Sequence, residues 1–212
     1  MFQGTGVPTA AMISPSMWDH NDAVKPYPYD PAHARQLLAD AGYKDGFKTE
    51  IWAIPVARPY MPDGRRAAEM IQADWVKIGV QADIVTFEWG EYLKRVRAGE
   101  APVGMLGGSW DYPDPSQLVY GYWACPDGKP RPGNWPRWCN ATFTDLVSRA
   151  NVMTDRAERA KLYVQAQQIF HEDVPAVLFA DTSAFTAIRK SVTGFKPQLM
   201  GGQPFAGTSV TP

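Results

Sequence analysis

Gly107-Gly-Ser-Trp-Asp-Tyr-Pro-Asp-Pro-Ser116 is the stretch of this chain best suited to chemistry. It follows a short apolar run and sets Asp111 and Asp114 among Trp110, Tyr112, Tyr120 and Tyr122. Pro113 and Pro115 lack amide donors and fix their own φ, so the stretch reads as a stiff loop rather than a helix or strand interior. A carboxylate held by such a loop, partly shielded by aromatic rings, is suited to receiving a ligand ammonium group. The competing reading is a surface turn with two solvated acids. Catalytic signatures are absent: no Gly-x-Ser-x-Gly, His-Glu-x-x-His or P-loop occurs. Glu88 and Glu91 form a carboxylate pair only on paper, because both fall at a helix start, where the dipole favours acids. No enzyme activity, cofactor or metal is expected.

The two cysteines, Cys125 and Cys139, enclose a Pro-rich loop without regular structure. A disulfide would close about 15 residues and contribute roughly 3 kcal/mol in the chain-entropy model. The alternative is two unrelated buried thiols. Zinc is disfavoured, since Cys-x-x-Cys spacing is missing and His20, His33 and His171 are scattered. The disulfide is the favoured reading, and it implies an oxidising compartment.

The elements that position these residues alternate. Asp30 and Pro31 read as N-cap and N1 of a helix through Leu38 that stops at Gly42. Phe47–Val56 reads as a strand, Pro62–Ile78 as a helix with Gly79 at its end, and Val80–Phe87 as a second strand. Trp89–Ala98 is a short amphipathic helix ending at Gly99. Val103–Leu106 is a buried strand that feeds the Asp111 loop. Helices follow over about Phe143–Val152 and Asp155–His171, the second capped by Thr154. Val177–Ala180 and Ala184–Ile188 read as strands. This order indicates an α/β domain, a sheet flanked by helices. Residues 1–29 and 190–212 are rich in Pro, Gly, Thr and Ser and look like segments that lie on something else.

The 212 residues allow one large domain or two small ones. A net charge of −1 gives no reason to expect nucleic acid or an anionic membrane as partner. No apolar run reaches the length of a membrane span. The first residues lack the basic and apolar regions of a signal peptide, so either the chain is cytoplasmic or its true N-terminus is missing.

Several stretches together resemble one family: Pro28-Tyr-Asp-Pro-Ala-His-Ala-Arg-Gln-Leu-Leu-Ala-Asp-Ala-Gly42, Arg58-Pro-Tyr-Met-Pro62, Ala68-Glu-Met-Ile-Gln-Ala-Asp-Trp75, Phe87-Glu-Trp-Gly-Glu-Tyr-Leu93, Arg137-Trp-Cys-Asn140 and Lys161-Leu-Tyr-Val-Gln-Ala-Gln167. Almost the whole chain is similar to the C-terminal part of periplasmic dipeptide-binding proteins. These are solute receptors of ABC importers in the peptide- and nickel-binding class. The resemblance implies a periplasmic-binding-protein-like lobe with a mixed sheet flanked by helices. Members are about twice this length, carry a signal peptide and close two lobes over the ligand. It further implies an α/β ligand-binding lobe over 30–189. The segment 1–29 and the tail 190–212 would then contact a missing N-terminal lobe. The implied setting is the periplasm, and the implied partners are a peptide ligand and the membrane permease of an importer.

Residue roles come from the same resemblance. Asp111 matches the family's ligand-ammonium carboxylate, and Arg58 its ligand-carboxylate arginine. Trp110 and Tyr112 join them as candidate ligand contacts. The loop departs from the usual Gly-Trp-Thr-Gly-Asp-Asn-Gly-Asp-Pro-Asp-Asn. Gly108 takes the Trp position, Trp110 a Gly position, and Tyr112-Pro113 replaces Asn-Gly. Moving an indole and adding a phenol reshapes the pocket. Receptors for glutathione, haem or a nickel chelate therefore stand as alternatives, as does a stand-alone α/β interaction domain without ligand.

Overall fold

The computed structural model describes residues 1–183, 185–198 and 204–211. In chain order the elements are β1 (Gly6–Pro8), α1 (Pro31–Asp40), β2 (Phe47–Trp52), α2 (Gly64–Val76), β3 (Val80–Val85), α3 (Trp89–Ala98), α4 (Ser116–Trp123), α5 (Ala141–Val152), α6 (Arg156–Asp173), β4 (Ala180–Thr182), β5 (Val192–Thr193) and β6 (Ser209–Val210). The protein is mixed α/β, with strands paired in twos among the described residues.

β2 and β3 pair in parallel, from Phe47↔Val80 to Trp52↔Val85, with α2 as the crossover between them. Such a crossover is what parallel pairing requires. Asp63 caps α2 by accepting the Arg66 N–H at 2.9 Å. Ala67 and Ala68 bury against the strands; small side chains there let the helix approach closely. Glu88 caps α3, and Gly99 ends it at φ 79°, a left-handed conformation that glycine adopts without strain.

The buried side chains form two clusters. The first, around Ile51, Trp52, Ala68, Tyr92 and Met105, joins β2, β3, α2 and α3. The second joins α4, α5 and α6 around Val119, Phe143, Val147, Tyr163 and Phe170. Met12, Ile13 and Met17 belong to the second cluster, so part of the N-terminal segment packs into this chain's own interior.

Several boundaries differ from expectation. Val103–Leu106 forms a single parallel bridge, Trp52↔Gly104, rather than a strand. Its place is fixed instead by Tyr92, whose hydroxyl accepts the Met105 N–H at 3.0 Å and faces the carbonyls of Trp52 and Met105. Burial pushes this phenol up to about 12, so it stays a neutral brace. Asp155, not Thr154, caps α6, accepting from Ala157 and Glu158 N–H groups. The expected strand at Val177–Ala180 starts only at Ala180, where β4 meets β1 in antiparallel register. Residues 185–188 form no strand, and Ala184 lies outside the described residues. Helix α4 and the 3-10 turn Pro126–Gly128 were not expected.

Candidate functional site

Arg58 lies in a narrow turn whose backbone closes on itself: Arg58 and Met61 exchange N–H···O bonds of 3.0 Å each. The guanidinium carbon sits 4.4 Å from the centre of the Trp89 ring, at the start of α3. A planar cation resting on an indole face is held by the ring quadrupole while its N–H edges remain available. Arg58 Nε is buried and has no hydrogen-bond partner, and Arg58 forms no ion pair among the described residues.

Tyr60 ties this turn to the Asp111 loop. Its ring lies so close to Gly107 that a Cβ there would sit 2.5 Å from Tyr60 Cδ2. Burial raises the Tyr60 phenol and the nearby Arg58 charge pulls it partly back. From that contact to Asp111 is four residues, at most about 14 Å of extended chain.

Asp111 is exposed and is oriented by a neutral partner. Gln117, on α4, donates from Nε2 to Asp111 Oδ2 at 2.7 Å, and its Oε1 accepts the Asp111 N–H at 2.8 Å. The carboxylate thus has a set direction without an ion-pair partner among the described residues. Tyr112 is 46% exposed beside it, and Trp110 packs against the α4–α5–α6 core. Asp114 behaves differently. It accepts the Ser116 N–H at 2.9 Å and pairs with Arg159 of α6 at 2.8 Å. Burial pushes its carboxyl up, but the hydrogen bonds from Arg159 and Ser116 outweigh this and leave it below the usual carboxylate range. Asp114 braces the loop from behind.

Behind that brace lies a second acid. Asp19 is 2% exposed, and neither carboxylate oxygen has a hydrogen-bond partner among the described residues. Burial pushes it up to about 7; its own amide N–H counters this, Asp114 adds to it, and Arg159 and Arg156 oppose it. A concavity of about 710 Å³ opens near this point, lined by Trp18, Asp114, Arg156 and Arg159. It includes neither Arg58 nor Asp111. We place the candidate site at the latter pair, because neither charge is ion-paired among the described residues, whereas those in the concavity already include a neutralised pair.

Cys125 and Cys139 are disulfide-bonded, as the Pro-rich loop between them suggested. The closed loop carries Arg131 onto the Tyr120 ring of α4 at 4.3 Å and Trp135 onto Tyr122 at 6.1 Å. Sequence reading missed Trp89, Tyr60, Gln117 and Arg159 as partners. Of these, only Trp89 and Tyr60 lie within the stretches that carry the family likeness.

Residues 1–130 match the model of the bacterial extracellular solute-binding proteins, family 5, middle part. The chain belongs to that family. It is 43% identical over 210 residues to the dipeptide-binding protein of Escherichia coli (strain K12), covering 99% of this chain and 39% of that one. It is 40% identical over 212 residues to heme-binding protein A of Haemophilus influenzae, covering 99% and 38%. A solved dipeptide-binding protein from Pseudoalteromonas sp. SM9913, in complex with Met-Leu, superposes with a TM-score of 0.85 at 30% identity, over 99% of this chain and 41% of that one. The chain thus spans about two fifths of the length of the curated relatives it matches. Membership places it among non-enzymatic, extracellular solute-binding proteins. No helix of the described residues is long and apolar enough to cross a membrane.

Proposed function

We propose that this chain is the C-terminal lobe of a periplasmic receptor that delivers di- or oligopeptides to the permease of an ABC importer. Asp111 takes the peptide α-ammonium and Arg58 its carboxylate. One observation carries the reading: two opposite charges, neither ion-paired within the described residues, are held by neutral or aromatic partners on segments joined at Tyr60 and Gly107. A zwitterion is the ligand class that satisfies both, and Arg offers a carboxylate two parallel N–H donors. Trp110 and Tyr112 flank the ammonium end. On this reading residues 30–189 form the ligand-binding lobe, and 1–29 and 190–212 reach an N-terminal lobe of the same receptor. That lobe supplies the other wall and excludes water, so this chain alone binds peptide weakly.

Haem is a second reading, because heme-binding protein A is nearly as similar as the dipeptide-binding relative. Calorimetry on the full-length receptor with dipeptides, tripeptides and haem decides between them. Saturable dipeptide binding supports the proposal. Haem binding with no response to any peptide would overturn it.

A further inference from the structure

The concavity beside the Asp114–Arg159 pair is walled by three segments far apart in sequence. Pro15 and Trp18 come from near the N-terminus, Pro113 and Asp114 from the anchor loop, and Arg156 and Arg159 from the start of α6. Its volume of about 710 Å³ is that of a small-molecule site. The two arginines meet at one ring. The Arg156 guanidinium carbon lies 4.6 Å from the Trp18 ring centre and that of Arg159 lies 5.4 Å from it, so the two cations stand within about 10 Å of each other. The buried Tyr163 ring meets the same indole edge-on at 6.3 Å and braces it.

The charges of this wall do not cancel. Arg159 is engaged with Asp114 at 2.8 Å, with the Ala150 carbonyl and with the Tyr163 hydroxyl. Arg156 is exposed and forms no ion pair among the described residues. Its neighbouring acids are engaged elsewhere. Asp155 accepts the Ala157 and Glu158 N–H groups, and Glu158 pairs with Lys161 at 2.6 Å. The buried Asp19 adds no counter-charge in mild acid, because burial pushes its carboxyl up to about 7. One solvent-accessible guanidinium, held flat by an indole, is therefore left facing an open hollow.

We propose that this concavity is a second ligand site, separate from Asp111 and Arg58, for a small carboxylate with an apolar body. Arg156 takes the carboxylate with its planar fork of donors. Trp18, Pro15 and Pro113 cover the apolar body. The body is needed because a bare anion gains little from an exposed ion pair in water. The backbone amides that open α6 play no part, since Asp155 already caps them.

The test titrates the full-length receptor with phenylacetate at about one pH unit below the Asp19 value and follows the Trp18 indole N–H by NMR, with Trp18→Phe identifying that signal. Phenylacetate should shift the signal saturably. Acetate, which lacks the body, and 2-phenylethanol, which lacks the charge, should each bind at least about fivefold more weakly. Arg156→Gln should weaken phenylacetate by about fivefold, the upper range for an exposed ion pair. Arg156→Lys keeps the charge and should lose less. Arg58→Gln should leave the titration unchanged, which separates this site from the peptide anchors. Absence of a saturable shift at Trp18 overturns the proposal. So does equal binding of 2-phenylethanol by the wild type, which would mark an apolar crevice without an anion site. Undiminished phenylacetate binding in Arg156→Gln, or its loss in Arg58→Gln, overturns it as well, and none of these outcomes touches the peptide reading.

Discussion

Replacing Asp19 by Asn should stabilise the protein above neutral pH and leave it unchanged in acid. Asp19 is 2% exposed, and its carboxyl is pushed up to about 7 from 3.8. The sign follows from proton binding. Between these values the unfolded chain has released the proton and the folded chain still holds it. Stability therefore falls as pH rises through this window, and levels off above about 7. A span of about three units corresponds to at most about 4 kcal/mol. Asp114 contributes to the rise; Arg159 and Arg156 limit it. Asn has nearly the shape of Asp and stays neutral throughout. Like protonated Asp, it buries a neutral polar group, so the two forms should be about equal near pH 4. At pH 8 the variant should be more stable by about 1–4 kcal/mol. Urea denaturation of the full-length receptor at several pH values reads this directly, and all other titrating groups cancel in the comparison. Parallel pH curves for the two proteins, or a variant that is weaker at pH 8, would refute the reasoning. In that case water or another donor must reach the carboxylate.

Other substitutions probe the loop from different sides. Asp111→Asn keeps shape and removes charge, so it should cost on the order of 2–5 kcal/mol of peptide affinity, whereas Asp114→Asn should lower stability with a much smaller direct effect on binding; calorimetry beside thermal melts separates the two. Gly107→Ala puts a methyl 2.5 Å from Tyr60 Cδ2, so the ring must move; peptide affinity should drop without loss of secondary structure by circular dichroism. Converting Cys125 and Cys139 to Ser opens a loop of about 15 residues and should cost roughly 3 kcal/mol, measured by denaturation.

Local physics made much of the fold legible. Asp30 and Pro31 open α1 because an acceptor followed by proline satisfies the first helical turn, and Gly99 closes α3 because only glycine takes its φ freely. The parallel pair showed as two alternating segments separated by an amphipathic helix. Other elements carry no such signal. β1, β5 and β6 are two or three residues long, and only their partners define them. Helix α4 has eight residues, half of them aromatic or glycine, and no clear polar stripe. Met12, Ile13 and Met17 bury in a segment whose Pro and Ser spacing breaks any period. In the candidate site, a family likeness points to Arg58 and Asp111. Their partners are contacts across the fold: Arg159 reaches Asp114 from 45 residues away, and periodicity cannot encode such a pair.

The two acids of the loop show why residue type alone does not assign a role. Asp111 and Asp114 are three residues apart and both sit in a Pro-rich turn. One faces an amide and the other a guanidinium. A carboxylate paired with Arg159 has already spent its charge within the fold, and recruiting it for a ligand would break a half-buried ion pair. A carboxylate steered by Gln117 meets no cation among the described residues and still has a set direction. Arg58 follows the same rule, since Trp89 holds its plane without neutralising it. Preorganisation by neutral partners lowers the ordering cost of binding while leaving the full Coulomb attraction for the ligand. Exchanging Gln117 for Glu should therefore weaken peptide binding although a side chain of the same length remains: it places a second negative charge against Asp111 and removes the donor that aims it.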